Sequence, residues 1–380
     1  MPTSSDVPLL RSDERLAWLA LTRTRGIGPT RLRLLLEACT TPLGALSAPI
    51  SFLRTIPGFD RVMAEAVRGA SLEEAARLEA ETAALGGRVL LPGDADFPDL
   101  ALPNADAPLC LFAVGDLALL ERPAVAVVGS RAPTRYGIEV GELVAGQAAA
   151  AGLVVVSGMA RGLDAVAHRS ALAAGGGSIG VLGCGLGVVY PSSNRRLYED
   201  MRAKGLLLTE QPPHQRPTEG SFPERNRIIA ALARVTVVIE AGATSGALIT
   251  ARVANDLSRT VMAVPGMVTS ALSVGTNRLI QDGAHPLLRM EDLMARYPEV
   301  RVQVDPAVRV PADRSLEQRL LSLLERGPSA LEDLCLELGE GSQSVLVALG
   351  TLEIAGLVAQ RADRLYAAAN RGLAAEAIAR

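Results

Sequence analysis

The sequence predicts an α/β fold: a parallel sheet with crossover helices at the centre, a helical domain before it and a small winged-helix domain after it. Three observations carry this. Between residues 124 and 266, short β-branched runs closed by glycine-rich loops alternate with longer helical patterns, as parallel strands and their crossovers do. Residues 12–85 place apolar positions at helical spacing with two short interruptions. Beyond a stretch of scattered prolines, three short helical patterns precede two strand-like runs around a turn.

In the helical domain (residues 1–85) the interruptions are RGIGP (25–29) and TIPGF (55–59). An apolar-Gly-x-Gly turn between short helices resembles a helix-hairpin-helix unit, here duplicated in a SAM-like domain, whose hairpin amides can meet a phosphate backbone. Glycine and proline between helices are equally read as plain connectors. Charge does not decide, because residues 1–85 hold 10 Arg against 10 acids.

The core domain (86–297) opens with two short strand candidates, RVLL (88–91) and LCLFA (109–113), separated by a Pro-, Asp- and Gly-rich loop and expected to extend the sheet. Then come AVAVVGSRAPT (124–134), VVVSGMARGLD (154–164), SIGVLGCGLG (178–187), LLLTEQPP (206–213), VTVVIEAGATSGALIT (235–250) and VMAVPG (261–266). Their loops fall together at the carboxyl edge of one sheet, where open α/β folds bind ligands. At Gly129, Ser130 and Arg131 a glycine, a hydroxyl, amides near the coming helix and a guanidinium face one space, which suits a phosphate-sized anion. Nucleotide signatures are missing: there is no G-x-x-x-x-G-K-[ST], GSRAPTRYG is not G-x-G-x-x-G, and the second strand ends at Ser157 rather than at an acid. No cofactor is expected.

Asp164 and His168 stand four apart on one helix face; an acid at a helix start pairing with its own histidine fits better than a catalytic or metal pair. Arg195 and Arg196 are poorly placed for a helix dipole unless a polyanion is bound. Arg225 and Arg227 flank Asn226 in FPERNRII, either as phosphate contacts or as a structural cluster pairing with Glu224 or Glu240. Aromatics are scarce, yet Tyr136, Tyr190 and Phe222 all fall beside these basic loops, as in grooves that hold single strands by stacking.

The net charge of −3 and pI near 5.8 exclude a protein that coats nucleic acid by bulk charge, so any polyanion site is local. Residues 129–230 carry 11 basic against 8 acidic side chains. Lys204 is the only lysine. Cys39, Cys110, Cys184 and Cys335 are far apart, and with His168, His214 and His285 as the only histidines no zinc site is expected. The start lacks the features of a signal peptide, and LVAGQAAAAGLVVVSGMA (143–160) reads as a helix followed by a strand rather than a membrane span. A cytoplasmic chain with free thiols is expected.

Six blocks in register, VGSRAPTRYG, SGMARGLDAVAH, GVLGCGLGVVYPSSN, FPERNRIIA, EAGATSGALITARVA and VPG…SVGTNRLIQDGA, resemble the DNA-processing protein A (DprA/Smf) family, densely over about residues 86–290. The resemblance implies a Rossmann-like core without a nucleotide cofactor and a non-enzymatic role: binding single-stranded DNA without sequence specificity and loading the recombinase RecA in natural transformation and recombination. A single-strand-binding protein is a further candidate partner. The expected DNA-binding residues are Gly129, Ser130, Arg131, Ser157, Gly158, Arg161, Ser192, Asn194, Arg195, Arg225, Asn226 and Arg227. Many relatives carry a lysine in the YP-x-x-N-x-x-L stretch, where this chain has Ser192 and then Arg195 and Arg196, which leaves open which residue takes over that contact. A homodimer through the core is implied, with Asn277, Leu279 and Ile280 near the interface. The enzyme alternative is a nucleoside-monophosphate phosphoribohydrolase with a similar first loop and an acid near Glu240; EAGATSG (240–246) lacks its P-G-G-x-G-T-x-x-E pattern.

Residues 298–312 read as a linker. In the winged-helix domain (313–380), helical patterns at 316–325, 330–338 and 344–355 precede a turn at 361–364 between two strands. The third helix would enter a major groove if the domain read duplex DNA. It holds Glu353 and no basic residue, and residues 301–380 hold 9 Arg against 11 acids, so a protein-interaction or packing module is expected.

Overall fold

The computed structural model describes residues 12–103, 105–300, 316–324, 327–354, 357–360 and 365–368. The chain divides into two compact units, Met1–Val302 and Gln303–Arg380.

The first unit opens with six helices: α1 (Ser12–Arg23), α2 (Pro29–Cys39), α3 (Pro42–Ser47), α4 (Ile50–Leu53), α5 (Arg61–Arg68) and α6 (Leu72–Ala84). Their starts are written locally. Pro29 and Pro42 open α2 and α3, where a missing N–H costs nothing, and Asp60 and Ser71 accept the Met63 and Glu74 amides as caps of α5 and α6. The two glycine-containing interruptions are the turns that let Leu21, Leu32, Leu35, Leu53, Ile56 and Phe59 meet in one cluster. Leu19, Ala20 and Ala75 from α1 and α6 instead join a cluster with the sheet residues Phe112 and Leu207. Arg15 pairs with Glu79 and Asp94, and Trp18 Nε1 donates to the Leu109 carbonyl, so helices and sheet share one core.

The sheet has nine strands: β1 (Arg88–Leu90), β2 (Leu111–Gly115), β3 (Ala124–Val128), β4 (Val154–Ser157), β5 (Ser178–Val181), β6 (Leu206–Thr209), β7 (Val235–Val238), β8 (Thr260–Ala263) and β9 (His285–Pro286). Their order is β1-β2-β6-β5-β4-β3-β7-β8-β9; β1 and β2 are antiparallel additions and the rest run parallel. Between them lie α7 (Arg135–Ala150), α8 (Leu163–Ala173), α9 (Arg195–Lys204), α10 (Ser221–Leu232), α11 (Gly246–Asp256) and α12 (Val274–Gln281), and α13 (Met290–Met294) follows β9. Val125, Val127 and Val155 face Val144, Leu163 and Ala167 of α7 and α8, whereas Ala126, Val128 and Val156 face Ile228, Ile229, Ala247 and Ala251 of α10 and α11. Burial on both faces is why these strands are unbroken apolar runs; each fully buried Val or Leu side chain contributes about 1.5–3 kcal/mol. From β3 the chain steps outward to β6, then returns to the other side of β3 as β7. This puts the topological switch between β3 and β7, where their loops diverge around a crevice.

The second unit holds α14 (Leu316–Leu324), α15 (Leu331–Leu338), α16 (Ser342–Ile354) and an antiparallel pair, β10 (Val358–Gln360) and β11 (Tyr366–Ala368). Leu320, Leu334, Val345, Leu349, Leu352 and Tyr366 form its core. Three helices and a strand pair make the expected winged helix. Val347 on α16 is exposed. The expected turn at 361–364 and residues 301–312 of the expected linker lie outside the described residues. Among the described residues no helix is long and apolar enough to cross a membrane.

Candidate nucleic-acid interface

The loop after β3 starts at Gly129, where a Cβ would run into Leu163 and the Glu240 backbone. Ser130 is buried, its Oγ accepting the Ala132 amide at 3.1 Å. Arg131 is exposed, with no hydrogen bond or ion pair among the described residues, and its guanidinium lies 5.6 Å from the centre of the Phe222 ring. Contrary to expectation, the start of α7 is not an open anion site. The amides opening α7 do not wait for a ligand: the Glu240 carboxylate, 2% exposed, accepts the Thr134 amide at 2.9 Å and the Thr134 hydroxyl, while Thr134 Oγ1 accepts the Gly137 amide at 3.1 Å. A Cβ at Gly137 would strike that carboxylate, so the helix has room for its own anion and takes it.

In the loop after β4, consecutive peptide groups are held by buried side chains. Arg225 Nη1 donates to the Gly158 carbonyl. His168 Nε2 accepts the Met159 amide at 3.3 Å. Asn194 Nδ2 donates to the carbonyls of Met159 and Ala160 at 3.0 and 3.1 Å, and Asp164 accepts the Ala160 amide at 3.3 Å. Met159 adopts a left-handed backbone, φ 57°, which costs a non-glycine residue about 1–2 kcal/mol. Three bonds to its own N–H and C=O and the next carbonyl, each worth about 1 kcal/mol net, offset that. Gly162, φ 76°, packs where a Cβ would meet the Ser130 and Arg131 backbone, and so the Leu163 amide reaches the Ser130 carbonyl at 3.1 Å. The loop therefore presents exposed Arg161 from a fixed base.

Electrostatics agree with a built-in network. Because Nε2 of His168 accepts a backbone N–H, Nδ1 carries the proton and donates to Ser178 Oγ at 2.8 Å, which donates to the Val155 carbonyl. Burial, with Arg225 and Arg169 nearby, holds the His168 pKa down at about 3. Burial raises the Asp164 pKa, opposed chiefly by Arg225 and the Ala160 amide. The expected Asp164–His168 pair does not form: each bonds the loop instead.

The structure separates the remaining expected residues into two kinds. Ser157, Gly158, Asn194 and Arg225 lie in the supporting layer. Ser157 Oγ donates to the Val127 carbonyl at 2.7 Å, and Arg225, 7% exposed, also donates to the Val181 carbonyl and to Asn226 Oδ1. Arg227 pairs with Glu210 at 2.7 Å, so the structural reading of this arginine pair is realised, but not through Glu224 or Glu240. Ser192, Arg195 and Arg196 are exposed at the start of α9, the two arginines without partners among the described residues. Tyr190 and Phe222 sit 5.4 Å apart, tilted by 35°. With Arg131, Asn226, Gly242 and residues 244–247 they line a groove of about 750 Å³ at the switch point. Tyr136 lies outside it, its hydroxyl donating to the Pro265 carbonyl.

Sequence reasoning did not single out Thr244 and Ser245, which form the far wall of this groove where α11 begins. The glycines either side of them, Gly242 and Gly246, were the available signal. Asn277, expected at a dimer interface, donates to and accepts from the Gly266 backbone and so fixes the loop after β8; Leu279 packs partly buried against the sheet, and Ile280 is half-buried. Among the described residues no group of three or more His, Cys, Asp or Glu is placed to hold a metal ion.

Comparison with known proteins matches this architecture. The sequence profile of the family described as DNA recombination-mediator protein A covers residues 88–298, and that of the DprA winged helix domain covers residues 304–364. Protein Smf of Synechocystis sp. is 31% identical over 94% of this chain and 99% of its own length. A putative DNA processing protein DprA of Mycobacterium tuberculosis is 36% identical over 78% of this chain and 81% of its own. The X-ray structure of DprA from Streptococcus pneumoniae superposes with a TM-score of 0.65 at 32% identity, over 76% of this chain and 98% of that one. A Helicobacter pylori DprA structure, described for its single-stranded DNA binding mode, gives 0.50 at 31% identity over 55% of this chain and 94% of that one.

Proposed function

The chain belongs to the DNA recombination-mediator protein A family, and we propose that it binds single-stranded DNA along the groove at the carboxyl edge of its sheet. The observation that carries this is the platform of Tyr190 and Phe222 with the free Arg131 guanidinium over it. Rings give bases of any identity a face to stack on, and the unpaired arginines, Arg131 and Arg161 beside the platform and Arg195 at the start of α9, neutralise phosphates, so binding is largely blind to sequence. Ser130, Ser192, Asn226 and the Gly129 backbone line or flank the strand's path. Ser157, Gly158, Asn194 and Arg225 serve it from below by holding the loops, and Arg227 by its tie to Glu210.

In this reading the bound strand is handed to the recombinase RecA during transformation and recombination in the cytoplasm, with a single-strand-binding protein as a further partner. The protein acts as a homodimer joined near α12, where Ile280 and the loop tied by Asn277 lie, and as a mediator rather than an enzyme. Nothing favours phosphoribohydrolase chemistry, because Glu240 is turned into Thr134 and away from the groove. The test is fluorescence anisotropy with labelled oligonucleotides of unrelated sequence, followed by RecA filament formation on strands coated with single-strand-binding protein. Tight binding to all of them and faster filament growth are expected. Absence of binding at low salt, or release of free base from nucleoside monophosphates, overturns the reading.

A further inference from the structure

Asn226 follows the buried arginine and lies four residues after Phe222 on α10, on the same helix face. Arg225 Nε, which can only donate, bonds Asn226 Oδ1 at 2.9 Å. That bond decides how the amide is turned. Its carbonyl faces the guanidinium, and its NH2, without a partner among the described residues, is left to the groove that Asn226 lines. An asparagine with both ends free reads adenine by donating to N7 and accepting from the N6 amino group. Here the acceptor is already used, and what remains is a donor held in one orientation beside an aromatic ring.

We propose that Asn226 reads a base carbonyl oxygen, such as thymine O2 or O4, on a nucleotide stacked against Phe222. The proposal rests on the single-stranded DNA reading of the groove and adds to it a modest base preference: bases with a carbonyl on the exposed edge are favoured, and an edge that offers no acceptor at that place leaves the donor unsatisfied. A phosphate oxygen would take the same donor, but such a contact does not distinguish one base from another. That difference makes the two separable.

The experiment uses the full-length protein, labelled oligothymidine, and an oligomer of equal length in which difluorotoluene replaces thymine. The isostere keeps the shape and stacking face of thymine and lacks its carbonyl acceptors. Wild type is expected to prefer oligothymidine by ~3–10-fold, the worth of one net hydrogen bond. Asn226→Ala and Asn226→Asp are expected to bind the two oligomers equally, the second variant keeping the size of the side chain and its melting curve reporting that the fold is intact. Equal wild-type affinity for the two oligomers overturns the proposal. So does a loss in both variants that is the same for thymine and isostere, which marks a phosphate contact. Binding to neither oligomer overturns the reading of the groove, and this inference with it.

Discussion

Arg131 and Arg225 line the same groove and have opposite surroundings. Arg131 lies over an aromatic ring with its guanidinium open to solvent, while Arg225 is buried, its Nη1 donating to the Gly158 and Val181 carbonyls and its Nε to Asn226. Burial pulls the Arg225 pKa down, and the neighbouring Asp164 is the main opposing influence. One arginine can meet a ligand because nothing in the fold uses it. The other fixes the loops from which ligand contacts are made. Residue type alone does not distinguish them; the number of carbonyls within reach does.

The largest effect that sharpens this contrast is on stability. Arg225→Ala leaves the Gly158 and Val181 carbonyls without their buried donor and Asp164 without a neighbouring positive charge, and should cost about 3–5 kcal/mol in chemical denaturation, whereas Arg131→Ala should stay within about 0.5 kcal/mol of wild type. Equal stabilities for the two variants would erase the distinction. A smaller, pH-dependent effect comes from His168. The unfolded chain takes up its proton near pH 6.5, but the folded protein resists until about 3, so the unfolded state binds more protons in between. Stability from this group is complete above about pH 6.5 and falls as pH drops toward 3, with a slope approaching 1.4 kcal/mol per unit. Denaturation midpoints of wild type and His168→Gln, compared from pH 7 to 4, should converge as pH falls. Parallel curves would place His168 outside the supporting layer.

On the binding side, Phe222→Ala removes half of the stacking platform and should weaken oligothymidine binding by about 1–3 kcal/mol while leaving salt dependence unchanged. Smallest of all is the second unit: α16 carries no basic residue. An isolated winged-helix domain should therefore leave no footprint on duplex DNA, and a resolved footprint would contradict its reading as a protein-interaction module.

What the sequence made legible follows from the range of the interactions. The strands were readable because helices cover both faces of the sheet, so Val125 and Ala126 both had to be apolar although they face opposite helices. The glycine loops and the aromatics Tyr190 and Phe222 were readable as a cluster because parallel topology gathers the carboxyl ends of β3 to β8 on one edge. Which polar residues were already committed was not readable. Glu240 meets Thr134 across 106 positions, and Arg225 meets Gly158 across 67, and no local pattern announces such pairings. The two-residue strand β9 is too short to show any alternation. For the same reason the Asp164–His168 spacing misled: it reported a shared helix face, while both side chains had stronger demands from the loop above them.

Contact between the free Arg131 guanidinium and phosphate is the step on which strand binding turns. It is tested most directly by titrating labelled oligothymidine binding over salt for wild type and Arg131→Ala. Wild-type affinity should fall steeply with rising salt, and the variant should bind more weakly, with a slope of log affinity against log salt that is shallower by about 0.7, one phosphate contact on a single strand. An Arg131→Ala protein that binds as tightly as wild type, with the same slope, would contradict it.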